Sequence, residues 1–164
     1  TLKYLLEDVH FSLVLSSPLS RAYDTCKLAG YGDVAELSDD LLEWDYGEYE
    51  GRKTADIRKD VPGWLVWRDG VPGGETVDEL GDRCRRVIQR ALQVREGDVA
   101  LFGHGHSLRA LAAVWLEMHP ENGRLWLLSP AAFSVLSYYH GRRAVRLWNM
   151  TADIKQGKSG HSVF

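Results

Sequence analysis

The stretch Val99-Ala100-Leu101-Phe102-Gly103-His104-Gly105-His106-Ser107-Leu108-Arg109 decides the fold of this sequence. Residues 99–102 are apolar and predict a short buried strand, and the apolar spacing over 107–117 predicts a helix that leaves it. His104 lies between them with a glycine on each side, where the backbone can bend sharply and a ligand can approach closely. Because the N–H groups at a helix start attract anions, the pattern predicts an anion site containing a histidine. A core histidine in a glycine-bearing turn is the alternative.

A second apolar run, residues 11–15, opens into a segment that contains an arginine. Pro18 suits the first turn of a helix, so we expect Arg21 in that turn, just after a strand. Its planar, permanently charged guanidinium would add a fork of donors to the anion site at a helix end. A solvated surface arginine is the alternative.

Residues 41–51 mix carboxylates with aromatic rings. A carboxyl group that is desolvated against such rings is protonated more often and can act as a general acid near neutral pH. The acids of this segment are Glu43, Asp45, Glu48 and Glu50, and composition alone does not choose among them. A loop with a solvated charge cluster is the alternative reading of the segment.

Alternating strand-like and helical patterns predict an α/β protein with a largely parallel sheet. Strands are expected over 12–15, 99–103, 133–138 and 144–148, with a further short one over 34–37, and helices near 19–29, 76–95 and 107–117. The last two strands flank His140-Gly141-Arg142 and read as a hairpin, which makes the sheet mixed. We expect one domain over 1–149 and a poorly ordered tail over 150–164.

Composition limits which binding partners and which cellular compartment are expected. A chain of 164 residues with 45% hydrophobic residues can bury one real core, and a net charge of -3 gives no reason to expect nucleic acid or a membrane surface as partner. Two cysteines with no ligand spacing favour a reducing cytosol and argue against structural zinc. The basic run over 83–86 is expected to be a solvated helix face.

Together these segments resemble the histidine phosphatase superfamily, the phosphoglycerate mutase-like proteins. Residues 17–25 look like the family's S-P-L-x-R-A-x-x-T, and residues 41–51 look like its L-x-E-x-x-x-G-x-x-E-G. Residues 73–76 resemble its G-G-E-S/T element, and residues 103–106 its second histidine motif, usually written S-H-G. The resemblance covers roughly residues 1–149 and implies a three-layer α/β/α fold.

One departure from the family is large. The family's first strand ends in Arg-His-Gly, whose histidine takes the phosphoryl group, and no Arg-His-Gly occurs in this sequence. Residues 1–6 resemble the end of the helix before the second strand, so we expect the first strand to be missing from this chain. In the family that strand lies between the strand ending at His104 and the first hairpin strand. These two strands are therefore not expected to pair directly, and the chain alone is expected to be inactive.

The resemblance implies a two-step phosphoryl transfer through a phosphohistidine. The upstream histidine would attack phosphorus, while Glu43 would protonate the leaving oxygen and then activate water. Arg21 and His104 would hold the phosphoryl oxygens. Among the four acids, Glu43 is the one that the family pattern selects, and its apolar neighbours in sequence fit an acid role. Glu48 and Glu50 are expected to face away, and Glu50 is expected to hold the turn or to pair with a nearby base such as Arg52.

The remaining implied contacts concern the substrate. Tyr46 and His106, with Gly105 beside them, are expected to contact the leaving group, and no metal or cofactor is implied. Residues 43–47 resemble the phosphatase members more than the glycolytic mutases. We therefore expect a phosphatase that takes a small phosphorylated substrate or inorganic phosphate. The alternative functions are a mutase and a non-catalytic remnant that binds a phosphorylated ligand or a partner protein. The chain could also form a homodimer.

Overall fold

The computed structural model describes residues 2–6 and 8–151 of the chain. Its helices are α1 (Leu2–Leu6), α2 (Ser20–Ala29), α3 (Thr54–Asp60), α4 (Val66–Asp69), α5 (Val77–Leu92) and α6 (Gly105–Trp115). Its strands are β1 (Phe11–Ser16), β2 (Ala35–Leu37), β3 (Asp98–Phe102), β4 (Phe133–Tyr139) and β5 (Arg142–Met150). Short 3-10 turns occupy Gly32–Val34, Asp39–Leu41, Gly47–Tyr49 and Pro120–Leu125.

A parallel three-stranded sheet, in the order β2-β1-β3, forms the middle layer. Since side chains alternate along a strand, Leu13 and Leu15 of β1 face the core under α5 and α6, while Val14 faces the core under α2. Helices therefore cover both faces, as a parallel sheet requires. The predicted α/β/α architecture is confirmed, and the carboxyl ends of β1 and β3 meet at one edge.

Helix α5 shows why these residues form helices. Thr76 caps its start with a capping box, in which the Thr76 hydroxyl accepts from the Glu79 N–H and the Glu79 carboxylate accepts from the Thr76 N–H. The buried residues of α5 recur at helical spacing and give the helix one apolar face: Leu80, Cys84, Val87 and Ile88.

Strands β4 and β5 form an antiparallel hairpin that is a separate sheet within the described residues. Its turn places His140 and Gly141 at positive φ, as a two-residue hairpin loop requires. Trp115 of α6 anchors the hairpin, because its Nε1 donates to the Ala144 carbonyl at 3.1 Å. Strands β3 and β4 do not pair with each other, so the direct pairing that would contradict our expectation is not observed.

Besides shifts of a few residues at element ends, the structure differs from the sequence analysis in three respects. Pro18 precedes α2 instead of lying in its first turn. Helices α3 and α4 were not predicted as separate elements. Strand β5 runs to Met150, one residue into the predicted tail, and residues 152–164 of that tail lie outside the described residues. No helix in the described part is long and apolar enough to cross a membrane.

Candidate active site

His104 lies where the sequence predicts, between the end of β3 and the first turn of α6, and its side chain is buried. Its Nε2 lies 2.9 Å from the Oγ of Ser17, a buried residue that follows β1. The Ser17 N–H donates to the Phe102 carbonyl at 2.8 Å, which ties the two strand ends together. Burial lowers the pKa of His104, so its imidazole is neutral at physiological pH. Ser17 is a site residue that the sequence analysis quoted in a motif without giving it a role.

Glu43 reaches from its loop to the N-terminus of α6. One carboxylate oxygen, Oε1, accepts from the Ser107 N–H at 3.0 Å and from the Trp44 N–H at 3.0 Å. The other oxygen, Oε2, accepts from the His106 N–H at 3.3 Å. The apolar setting expected from its sequence neighbours is therefore wrong, because both oxygens contact the positive end of a helix. These bonds fix the carboxylate beside His104.

Tyr46 and His106 form a second pair at the same helix start. The Tyr46 hydroxyl lies 2.7 Å from Nδ1 of His106. Burial, assisted by the charge of Glu43, raises the pKa of Tyr46, and burial lowers the pKa of His106. Both groups are thus neutral, and the contact is a neutral hydrogen bond. A Cβ atom on Gly105 would lie 3.9 Å from the Glu43 Oε2, an ordinary van der Waals distance, so Gly105 adjoins the carboxylate.

Arg21 is the second residue of α2, in its first turn as predicted, and is exposed. Within residues 2–6 and 8–151, its guanidinium makes no hydrogen bond or ion pair. After burial and the charge of Glu43, the positive charge of Arg21 is the next influence on the pKa of His104. Arg21 follows β1 and His104 follows β3, and the carboxyl ends of these strands meet, so Arg21 lies at the edge of the sheet where Glu43 contacts α6 beside His104.

Arg83 and Glu75 form an ion pair beneath residues 40–51, which we call the Glu43 loop. The sequence analysis did not predict this pair. The pair joins Arg83 Nε to Glu75 Oε1 at 2.5 Å, with only 13% and 12% of the two side chains exposed. The Trp44 indole donates to the Glu75 carbonyl at 2.7 Å. The Arg83 guanidinium also donates to three loop carbonyls, those of Asp40, Leu42 and Glu43. The expectation that Arg83 belongs to a solvated face is wrong.

Two glycines allow the Glu43 loop to contact the segment around Pro72. Gly47 has φ +48, and a Cβ atom there would overlap the Pro72 carbonyl oxygen and the Gly74 nitrogen. A Cβ atom on Gly74 would overlap the Asp45 carbonyl oxygen in return. The two backbones are thus in close contact, which only residues without a side chain allow.

Comparisons with known proteins identify the family of the chain. The family model described as "Histidine phosphatase superfamily (branch 1)" matches residues 1–151. The chain belongs to this superfamily. This histidine phosphatase chain is 37% identical over 140 residues to an acid phosphatase of Mycobacterium tuberculosis, covering 85% of the chain and 68% of that protein. It is 40% identical over 96 residues to the sedoheptulose 1,7-bisphosphatase of Saccharomyces cerevisiae, covering 48% of the chain but 35% of that protein.

Solved structures give the same assignment. The structure of an open reading frame from Mycobacterium tuberculosis superposes with a TM-score of 0.86 at 35% identity, covering 92% of the histidine phosphatase chain and 79% of that one. A mycobacterial glucosyl-3-phosphoglycerate phosphatase in complex with inorganic phosphate superposes with a TM-score of 0.80 at 26% identity, covering 92% and 83% of the two chains. The predicted fold class and family are therefore confirmed.

The other acids of the Glu43 loop lie apart from these contacts. Glu48 and Glu50 of the histidine phosphatase chain are exposed. Arg52 is not the partner of Glu50, because the Arg52 guanidinium pairs with Asp60 at 2.5 Å, at the end of α3. Asp45 accepts from the Gly47 N–H at 2.9 Å and shapes the loop. In the described part of the chain, no cluster of three or more histidine, cysteine or acidic side chains could hold a metal ion.

Proposed function

We propose that the protein is a phosphomonoesterase that hydrolyses small phosphorylated metabolites through a phosphohistidine. The observation that carries the proposal is the position of the Glu43 carboxylate, held by N–H groups of α6 beside buried His104. A carboxyl group that is fixed next to an anion site can exchange a proton with the leaving oxygen. The names of the relatives support the choice, since they include an acid phosphatase and a bisphosphatase.

Arg21 and His104 are assigned to the phosphoryl group. The transferred phosphoryl group carries negative charge on its equatorial oxygens, so catalysis needs groups that position it and neutralise that charge. Arg21 supplies the permanent positive charge and a fork of donors. Neutral His104 supplies a hydrogen bond from a ring that Ser17 holds in place.

Glu43 is assigned to both proton transfers. In the first step its carboxyl group gives a proton to the ester oxygen as the P–O bond breaks and the P–N bond to the nucleophilic histidine forms. In the second step the carboxylate takes a proton from water, the water oxygen forms a P–O bond as the P–N bond breaks, and inorganic phosphate leaves the freed histidine. Tyr46 and His106, which are paired through the Tyr46 hydroxyl, are assigned to the leaving group.

The nucleophile is assigned to a histidine outside the 164 residues, in the Arg-His-Gly that the family resemblance implies. This assignment predicts that the 164-residue chain alone turns over no phosphate monoester at a useful rate. Groups that position a substrate without a nucleophile retain only a small part of catalysis.

The test compares the 164-residue chain with a chain extended upstream by the Arg-His-Gly segment of its gene. The extended chain should release inorganic phosphate from p-nitrophenyl phosphate and from a panel of sugar phosphates, and a metal chelator should leave the rate unchanged. His104→Ala in the extended chain is the background. Phosphate release by the short chain above that background contradicts the assigned nucleophile, and an isomerised phosphate ester without phosphate release identifies a mutase instead.

A further inference from the structure

A cavity of about 290 Å³ is lined in part by His106. We call it the arginine cavity, because three of its nine lining residues are arginines. Its lining is Thr54, Arg58, Trp64, Leu65, Val66, Trp67, His106, Arg109 and Arg124. Its volume lies near the lower limit of ligand pockets, roughly 300 Å³, and suits one part of a small metabolite.

The three arginines hold their guanidinium groups in place through one nitrogen each. Arg58 Nε donates to the Trp64 carbonyl at 2.9 Å, and Arg109 Nε donates to the Gly123 carbonyl at 2.9 Å. Arg124 Nε donates to Glu121 at 3.2 Å across a pair that is 41% and 37% exposed. Within residues 2–6 and 8–151, the terminal nitrogens of all three make no hydrogen bond. These are the donors that bind carboxylate and phosphate groups in bidentate fashion.

Arg109 is the most buried of the three. Its guanidinium lies 5.1 Å from the centre of the Trp67 ring, in cation–π contact, and is half-buried. Burial lowers the pKa of Arg109, yet a guanidinium remains charged at physiological pH. A cation that has lost part of its water gains more from an anion than a solvated one does. His106, being neutral, adds no charge to the cavity.

His106 connects the arginine cavity to the candidate active site. Its backbone N–H donates to the Glu43 carboxylate at 3.3 Å, whereas its ring lies 5.3 Å from that of Trp67 in the cavity wall. A ligand in the arginine cavity would therefore have one end beside the acid that is proposed to protonate the leaving oxygen.

We propose that the arginine cavity binds a second anionic group of the substrate, a phosphate or a carboxylate, so that the preferred substrates are phosphate monoesters with a second anion. The inference rests on the proposed function, because the scissile phosphate is placed at Arg21 and His104. The second anion would approach the terminal nitrogens of Arg58, Arg109 and Arg124, with Trp64 and Trp67 against the apolar part.

The test uses ligand pairs that differ in one anionic group, titrated calorimetrically into the 164-residue chain at constant ionic strength. One pair is fructose 1,6-bisphosphate and fructose 6-phosphate, and the other is 3-phosphoglycerate and glycerol 3-phosphate. The member with the second anion should bind at least tenfold more tightly in one or both pairs, and the pair that shows the advantage identifies the anion. Equal affinities within both pairs overturn the inference.

Arginine variants test whether the tighter binding of the ligand with two anionic groups arises in the arginine cavity. Arg58→Gln with Arg124→Gln should reduce the ratio of affinities within the pair to about threefold or less. The control is Arg86→Gln with Arg90→Gln, which removes the same net charge from exposed side chains paired with Asp40 and Glu36 and should leave the ratio intact. Equal ratios in the two double variants contradict the assignment of the second anion to this cavity.

Arg21→Gln separates this inference from the proposed function. It should weaken both members of a pair by the same factor and leave their ratio unchanged. If single phosphates bind in an Arg21-dependent way but no second-anion advantage appears, the inference fails and the proposed function stands. If no phosphate ester binds at all, the phosphate site is wrong and both proposals fall.

Discussion

Two side chains of the candidate active site, Glu43 and Arg21, are held in opposite ways. Glu43 accepts from three backbone N–H groups, and its loop is fixed from below by the ion pair of Arg83 with Glu75. Arg21 is exposed and makes no hydrogen bond in the part of the chain that the structure describes. The Glu43 carboxylate is positioned before a ligand binds, whereas the donors of the Arg21 guanidinium remain available to a ligand.

This difference follows from the chemistry assigned to each group. A proton donor must be placed within hydrogen-bond distance of one oxygen, and a small displacement costs much of the rate. A permanent charge acts over a longer range and tolerates movement, provided that nothing else neutralises it. The contrast can be tested on both sides.

The largest expected effect comes from removing the support of the Glu43 loop. Arg83→Ala should lower the free energy of unfolding by about 3 kcal/mol, because it leaves the Glu75 carboxylate buried without its partner. It also leaves three loop carbonyls without a donor. Urea denaturation measures the change. The control is Arg85→Ala on the same helix, where the ion pair with Asp82 is half exposed and contributes little.

A loss of stability as small as that of the control would show that the Glu43 loop does not depend on Arg83. If Arg83→Ala lowers the free energy of unfolding by the full amount but leaves the turnover of the extended enzyme unchanged, the loop tolerates movement. The contrast between Glu43 and Arg21 would then have no functional meaning.

The next effect concerns Glu43 itself. In the extended enzyme, Glu43→Gln should reduce turnover about a hundredfold, the usual scale for a lost general acid. Glutamine keeps one oxygen for the donors that Oε1 accepts from, so the fold should be retained. The loss should shrink for p-nitrophenyl phosphate, whose leaving group needs little protonation. Glu48→Gln, on an exposed side chain of the same loop, is the matched control.

An equal loss for good and poor leaving groups would argue that Glu43 acts as a positioning residue alone. An equal loss in Glu48→Gln would argue that any change in this loop impairs turnover.

A smaller effect is expected from the close contact behind the loop. Gly47→Ala should destabilise the fold by about 2 kcal/mol, since a Cβ atom there overlaps the segment around Pro72 and the residue has positive φ. Gly51→Ala is the control, with φ +73 but nothing within 4 Å of its Cβ position. It should cost about 1 kcal/mol, the strain alone. Equal unfolding free energies for the two variants would contradict the close contact.

The sequence was sufficient for what local pattern determines. The apolar run before Gly103 and the helical spacing after it placed His104 between a strand and a helix, and the structure agrees to within a few residues. The apolar run over 11–15 likewise predicted β1. The environment of Glu43 could not be predicted, because two of the three N–H groups that bind its carboxylate come from more than sixty positions away in the chain.

The expectation that Arg83 lies on a solvated face is an error that the helical spacing of α5 could have prevented. Its neighbours in a basic run favour a solvated face, but it lies three residues after Leu80 and four before Val87, which are on the buried face of α5. Helical spacing therefore places Arg83 at the margin of that face. Its partner Glu75 lies outside the helix, before the cap, and only the fold brings the two together.

The smallest effect on stability, and the clearest test of the contrast, is expected at Arg21. Arg21→Gln should leave the free energy of unfolding unchanged, because the guanidinium makes no contact that folding depends on. Binding of inorganic phosphate to the 164-residue chain should weaken about tenfold, as expected for a lost charged hydrogen bond. Arg90→Gln, another exposed arginine on a helix, should leave phosphate binding unchanged. A drop in unfolding free energy of about 1 kcal/mol or more would make Arg21 a structural residue like Arg83. Unchanged phosphate binding would remove it from the site.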